Sequence, residues 1–267
     1  MVHNPPRQTM LEEALALVER PAYMRSALAA ADVVVSPSRF LAGVLESNGV
    51  DPRRIVVSPN GVAKRPRAMA SKPRAPRLRL ALIGTLLPYK GAHVALEAIR
   101  LLPGDRIELH VYGDLDQPAT VHRYAATLLP LAEGQPVAFH GRFSPDEVWS
   151  ILRHSDVVIV PSLWYENAPM TILEAFASRT PVIASALGGM AELIQDGVNG
   201  LLFEPGNPAD LALCVNRLLE DPDEIERLAS AAPKVKDADE CASDYEALYR
   251  CAIDHKRHSA IVETVQV

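Results

Sequence analysis

The chain has 267 residues, 48% of them hydrophobic and 22% charged, which allows one large domain or two smaller ones and excludes general disorder. A formal net charge of −6 argues against nucleic acid as the main partner. Cys214, Cys241 and Cys251 show no metal-like spacing and fit a reducing cytoplasm, the N-terminus lacks the apolar segment of a signal peptide, and no apolar run approaches the ~20 residues of a membrane span.

In chain order, residues 8–19 and 21–31 carry helical patterning, with Pro21 expected to restart the chain. Val33-Val34-Val35 reads as a short strand, and Ser36-Pro37-Ser38 supplies capping chemistry for a helix over 38–47 that Asn48-Gly49 stops. Ile55-Val56-Val57 is another strand, closed by the turn at Asn60-Gly61. Between Val62 and Arg77 lie Lys64, Arg65, Arg67, Lys72, Arg74 and Arg77 with no acidic residue. This basic, proline-containing stretch reads as a solvated linker, with peripheral contact to an anionic surface such as a membrane as the second reading.

Beyond it the pattern is regular. Strands are predicted at 78–83, 107–112, 137–140, 157–160, 182–184 and 201–203. Helices are predicted at 91–102, 118–129, 145–153, 170–178, 189–195 and 208–219. This alternation predicts an α/β fold, a Rossmann-like parallel sheet with helices on both faces, preceded by an incomplete second α/β unit. Residues 222–232 and 238–254 read as terminal helices and 256–267 as a tail that frays.

Candidate chemistry lies at strand ends, where open α/β sheets bind ligands. After the apolar run Asp156–Val160 come Glu166 and Glu174, the first in a loop and the second about a turn into a helix that Pro169 opens. Two carboxylates there suit a polyhydroxylated ligand, and the N–H groups of the helix start suit its phosphates. Gly84-Thr85-Leu86-Leu87-Pro88-Tyr89-Lys90-Gly91 follows the first strand of this unit and sets Lys90 at a helix start, where its ammonium can meet a diphosphate. Taken alone, such a lysine is more often just solvated. The stretch is neither a Walker A loop nor a GxGxxG fingerprint. Gly188-Gly189 opens a further helix and allows close backbone approach to phosphate or sugar, although a flexible turn explains it as well. Asp114-Leu115-Asp116 reads first as loop-capping acids, and a divalent-ion site is the weaker reading.

In its later part the sequence resembles the donor-binding half of retaining glycosyltransferases of the two-domain GT-B fold, family 4. The resemblance runs from about Leu78 to Leu213, through Gly84…Lys90-Gly91, the E-x7-E pair Glu166/Glu174, Pro181-Val182-Ile183-Ala184, Gly188-Gly189…Glu192 and Asn199-Gly200-Leu201-Leu202-Phe203. The first third resembles the end of that family's N-terminal domain, through Ala31-Asp32…Ser36-Pro37-Ser38 and Ser58-Pro59-Asn60-Gly61.

The resemblance implies a domain plan: 1–62 as a remnant of an N-terminal acceptor-side domain, 63–77 as linker, 78–235 as the donor-binding domain, and 236–267 as a C-terminal helix and tail. It implies a glycosyltransferase moving a sugar from a nucleotide diphosphate sugar to a glycan, lipid-linked or small-molecule acceptor, with no tightly bound metal or cofactor. Lys90 would contact the diphosphate, Glu174 the ribose hydroxyls, and Glu166 the transferred sugar. Gly84, Thr85, Asn167, Ala168, Pro169, Met170, Gly188 and Gly189 would complete the donor site. Thr85 stands where the family often has Arg, which removes half of a usual cationic pair. Arg179 stands where the family has Gly at a helix end; a left-handed conformation there costs a non-glycine residue roughly 1 kcal/mol. Only the last elements of the acceptor-side domain are expected, so the alternative is a donor-binding module inactive alone, with a second chain supplying the acceptor domain.

Overall fold

The structure is a computed structural model that describes residues 10–64, 75–115 and 119–265, with side chains described over 15–64, 75–115 and 124–254. These residues fall into two compact units, divided after Ser58 and again after Asp244.

In the first unit, α1 (Met10–Ala30), β1 (Val34–Ser36), α2 (Arg39–Ser47) and β2 (Ile55–Val57) follow one another. The two strands pair in parallel, Val34 opposite Ile55. Ser38 caps α2 as its sequence implies, its hydroxyl accepting from the Leu41 N–H at 3.2 Å. The expected break at Pro21 does not occur: α1 continues through it. Proline removes one helical hydrogen bond, but the Ala, Leu, Glu and Met residues on either side are strong helix formers and carry the helix across.

The second unit holds β3 (Leu78–Ile83), β4 (Ile107–Tyr112), β5 (Val137–Gly141), β6 (Val157–Val160), β7 (Val182–Ser185) and β8 (Leu201–Phe203). They form one six-stranded sheet in the order β5-β4-β3-β6-β7-β8. Every pairing is parallel, Leu80 lying opposite both Leu109 and Val157, so the predicted fold class stands. Alternation along the strands sends side chains to two cores. Leu80, Leu109 and Ile159 pack with α3 (Ala92–Ile99), α4 (Ala119–Ala132) and α8 (Pro208–Glu220). On the other face Val158, Val182 and Ala184 pack with α5 (Val148–Arg153), α6 (Met170–Ser178) and α7 (Gly188–Leu193). The predicted helix at 145–153 divides, because Ser144 and Glu147 close a capping box over a short 3₁₀ turn before α5.

After α9 (Asp223–Ser230), α10 runs from Ala238 to Val265. The expected fraying tail from residue 256 is therefore helical, and no Gly or Pro interrupts α10 to end it sooner. Val62 is buried and its N–H donates to the Lys236 carbonyl at 3.0 Å, so the start of the basic stretch is fixed. Arg65, Arg67, Lys72 and Arg74 lie outside the described residues. No helix among the described residues is long and apolar enough to cross a membrane.

The strand order positions the site. From β3 the chain proceeds one way to β4 and β5, and from β6 the other way to β7 and β8. The connections leaving β3 and β6 therefore part, and the crevice between them is where such sheets bind ligands. At the opposite end of the same strand pair Arg79 closes on Asp156, with its backbone N–H at 2.9 Å and its guanidinium at 2.7 and 3.0 Å. This half-buried bidentate contact fixes β3 against β6.

Candidate active site at the crevice between β3 and β6

Gly84 leaves β3 with φ 143° and ties back through its N–H to the Tyr112 carbonyl at 2.9 Å. The chain then makes a 3₁₀ turn over Pro88–Lys90 and reaches Gly91 at φ 73°. A Cβ on Gly91 would lie 1.9 Å from the Pro161 carbonyl oxygen, so only glycine lets the two strand-end loops meet. Next to this contact the Leu163 N–H donates to the Tyr89 carbonyl at 2.7 Å.

That junction brings together two side chains 76 positions apart. Lys90 Nζ lies 2.6 Å from Glu166 Oε1. Ser162 Oγ donates to the same oxygen at 2.7 Å, so the carboxylate is held from two sides at one oxygen. Glu166 is 15% exposed and Lys90 36%, which leaves the pair open enough for a ligand to exchange into it.

The first turn of α6 forms the adjoining wall. Pro169 is its N-cap residue and makes no side-chain cap. Its carbonyl takes the N–H groups of Ile172 and Leu173, whereas no acceptor among the described residues takes those of Met170 and Thr171. Gly84, Lys90, Ser162, Glu166, Met170 and Thr171 surround a cavity of about 360 Å³. Glu174 stands one turn further along the face that carries Met170 and Thr171, half-buried and with no hydrogen-bond partner among the described residues. Burial raises its carboxyl above the ordinary value.

Of the residues expected at the site, Gly84, Thr85, Lys90, Glu166, Ala168, Pro169 and Met170 line this cavity. Glu174, Asn167, Gly188 and Gly189 are not among its lining residues. Of the glycine pair, Gly189 is engaged within the chain itself. Gly189 already donates its N–H to the Glu166 carbonyl at 2.7 Å, and a Cβ on it would meet the Asn167 carbonyl at 2.2 Å. It packs the Glu166–Asn167 backbone in place instead of offering that N–H to a phosphate. Ser162 was not among the expected residues; its only signal is the position four before Glu166, just beyond the strand.

Two further expectations resolve. Asp114 accepts from Arg142 at 2.5 and 3.1 Å, while Asp116 lies outside the described residues. Arg179, at the C-cap of α6, does adopt the left-handed conformation, φ 55° and ψ 44°, alone among described non-glycine residues. It lines a larger recess of about 770 Å³ at the far end of α6, with Lys64 and Lys234. That recess holds none of the expected donor-site residues, and its lysines are already paired, Lys64 with Asp239 and Lys234 with Glu240. Among the described residues no three His, Cys, Asp or Glu side chains converge as metal ligands.

The chain is 32% identical over 236 residues to a D-inositol 3-phosphate glycosyltransferase of Geodermatophilus obscurus, covering 77% of this chain and 51% of that protein. A protein of the same name from Frankia alni is 32% identical over 247 residues, covering 82% of this chain and 59% of that protein. The chain thus spans about half the length of the curated relatives it matches. Its fold is similar to that of sucrose-phosphate synthase from Thermosynechococcus elongatus, with a TM-score of 0.79 at 24% identity over 93% of this chain and 65% of that one. It is also similar to Anabaena HepE in complex with UDP and glucose, with a TM-score of 0.69 at 20% identity over 92% of this chain and 68% of that one. Both are likenesses of fold. The sequence model described as Glycosyl transferases group 1 matches residues 68–235, a span that takes in all six strands of the sheet and both loops of the crevice, and the chain belongs to that family.

Proposed function

We propose that this chain binds a nucleotide diphosphate sugar in the β3–β6 crevice and that the sugar passes to a glycan, lipid-linked or small-molecule acceptor. The observation that carries this reading is the Lys90–Glu166 contact of 2.6 Å, set at the strand-order switch beside the N–H groups that open α6, which have no acceptor among the described residues. An ammonium and backbone N–H donors suit a diphosphate, and they become most valuable as the sugar departs and negative charge gathers on the leaving group. Each such donor contributes about 3 kcal/mol of barrier reduction where it has been removed by mutation.

Lys90 therefore moves from Glu166 to the diphosphate when the donor arrives. Glu166, still held by Ser162, presents its free oxygen to the hydroxyls of the transferred sugar. Glu174 accepts from the ribose hydroxyls, and the N–H groups of Met170 and Thr171 meet the phosphates. Gly188 allows close approach, and Gly189 positions Glu166. Thr85 supplies no charge where many members of the family carry Arg, so diphosphate affinity rests more heavily on Lys90. Retention of anomeric configuration is part of the proposal and is read from the product by proton NMR. HepE's ligands make UDP the first nucleotide to test, and the relatives' names make a phosphorylated cyclitol an acceptor to include.

Calorimetry with UDP, GDP, ADP and their hexose conjugates tests the binding step. Micromolar to low-millimolar binding of one family of nucleotides is expected; absence of binding to all of them sinks the proposal. Labelled-sugar transfer is measured separately. Binding without transfer to any acceptor would assign this chain the role of holding the donor while another chain supplies the acceptor domain.

A further inference from the structure

The aromatic residues of the second unit are distributed unevenly. Among its described residues, the exposed Phe, Tyr and Trp rings are Tyr89, Trp164 and Tyr165, at 44%, 62% and 57% exposure, and all three lie on the two loops of the crevice. Tyr89 immediately precedes Lys90, and Trp164 precedes Glu166 by two positions. The ring centroids of Tyr89 and Trp164 are 6.0 Å apart with planes at 53°, and the hydrogen bond from the Leu163 N–H to the Tyr89 carbonyl, 2.7 Å, fixes the loops that carry them.

We infer that Tyr89 and Trp164 form a stacking platform for a pyranose ring at the mouth of the crevice. The inference rests on the reading of that crevice as a nucleotide-sugar site. A pyranose presents C–H groups on one face and hydroxyls around its edge. An indole and a phenol offer the complementary surface: a flat apolar face with a polar tip in Nε1–H or Oη. The neighbouring groups favour a sugar over an apolar partner. A protein or acyl surface laid over these rings would approach the Lys90–Glu166 pair, one and two positions away in the chain, without giving it hydrogen bonds, which is costly for ions. Sugar hydroxyls supply those bonds.

The ring that stacks belongs either to the transferred hexose of the donor or to a sugar of the acceptor, and the test separates them. The chain has 2 tryptophans. Trp149 is 7% exposed and Trp164 62%, so acrylamide quenching of the intact chain reports chiefly on Trp164, with Trp164→Phe supplying the Trp149 background. The ligands are UDP, a set of UDP-hexoses, and a set of free methyl pyranosides with maltotetraose. Protection by UDP-hexoses but not UDP assigns the donor's ring, and protection by free sugars assigns the acceptor's. Either result supports the platform. Trp164→Ala and Tyr89→Ala should then each weaken the protecting sugar's affinity roughly 2- to 12-fold, with UDP affinity by calorimetry unchanged. If UDP binds and no sugar protects Trp164, the platform is wrong and the crevice reading stands. If free sugars protect while no nucleotide binds, the platform stands and the crevice reading falls. If neither class has an effect, both fall. Failure of acrylamide to reach Trp164 in the ligand-free chain means a protein contact covers the rings, which also overturns the platform.

Discussion

Replacing Lys90 with Ala removes the ammonium and leaves the Glu166 carboxylate with Ser162, at 2.7 Å, as its remaining hydrogen-bond partner among the described residues. For stability the change is small. Lys90 is 36% exposed and its pair is solvent-accessible, so the contact is worth no more than about 1 kcal/mol to folding. That corresponds to a melting shift of roughly 2–4 °C for a unit of this size. For binding the change is large. A hydrogen bond from a charged group contributes about 1.5–3 kcal/mol, which is roughly a 10- to 150-fold loss in nucleotide diphosphate affinity. The unneutralised Glu166 carboxylate adds repulsion against the diphosphate. The double variant Lys90→Ala/Glu166→Gln should therefore recover part of the loss, with a coupling energy on the order of 1 kcal/mol. Titration calorimetry and thermal melting on the natural chain, Lys90→Ala, Glu166→Gln and the double variant measure both sides. Unchanged affinity in Lys90→Ala would refute the placement of the diphosphate. Collapse of the melting transition would show that the ion pair is scaffold.

Four other outcomes are expected. Gly91→Ala forces a Cβ into the Pro161 carbonyl at 1.9 Å and should cost at least about 2 kcal/mol while separating the two loops, seen as lower melting temperature together with lost nucleotide binding. Arg179→Gly relieves a left-handed residue at φ 55° and should stabilise by about 1 kcal/mol in urea unfolding, without change in donor affinity. Glu174 has a folded carboxyl raised above its ordinary 4.5 by burial, so it favours folding only while protonated and that contribution is lost as pH rises through this range. Glu174→Gln should accordingly raise the melting temperature at pH 7 and lower nucleoside affinity; a scaffold residue would move the two together. Glu224 is 3% exposed, and Arg217, with Arg227 beside it, holds its carboxyl below the ordinary 4.5. Its stabilisation is complete above that value and lost as pH falls further, so Glu224→Gln should lower the melting temperature at pH 7 and flatten the acid limb of the stability profile.

The six strands are legible in sequence as short apolar runs between helical segments: β3, β6 and β7 are buried almost throughout, whereas β4 alternates and β5, at the sheet edge, is only half-buried. Lys90, Glu166 and the start of α6 are legible for a related reason: they follow strands, and strand ends in a parallel sheet share one edge. The left-handed Arg179 is signalled only by the resemblance, through the glycine that the family carries at that helix end. Other features depend on contacts between distant parts of the chain. Nothing near Gly189 in sequence says that its N–H is taken by Glu166, and nothing near Gly91 says that Pro161 blocks every larger residue. Pairings such as Tyr89 with Trp164 are made by the tertiary fold. Helix ends misread at Pro21 and beyond 254 show local propensity outweighing a single breaker or the expectation of fraying.

The meeting of Gly91 with Pro161, and of Gly189 with Asn167, is main chain against main chain. A joint of that kind does not depend on the identity of the neighbouring side chains. Exchanging Thr85, Trp164, Tyr165 or Asn167 should therefore leave the spacing of ammonium and carboxylate undisturbed. On the proposed reading of the crevice, one scaffold of this form can be re-dressed for different sugars, and swapping these four residues among homologues should exchange preference while leaving the Lys90–Glu166 pair where it is.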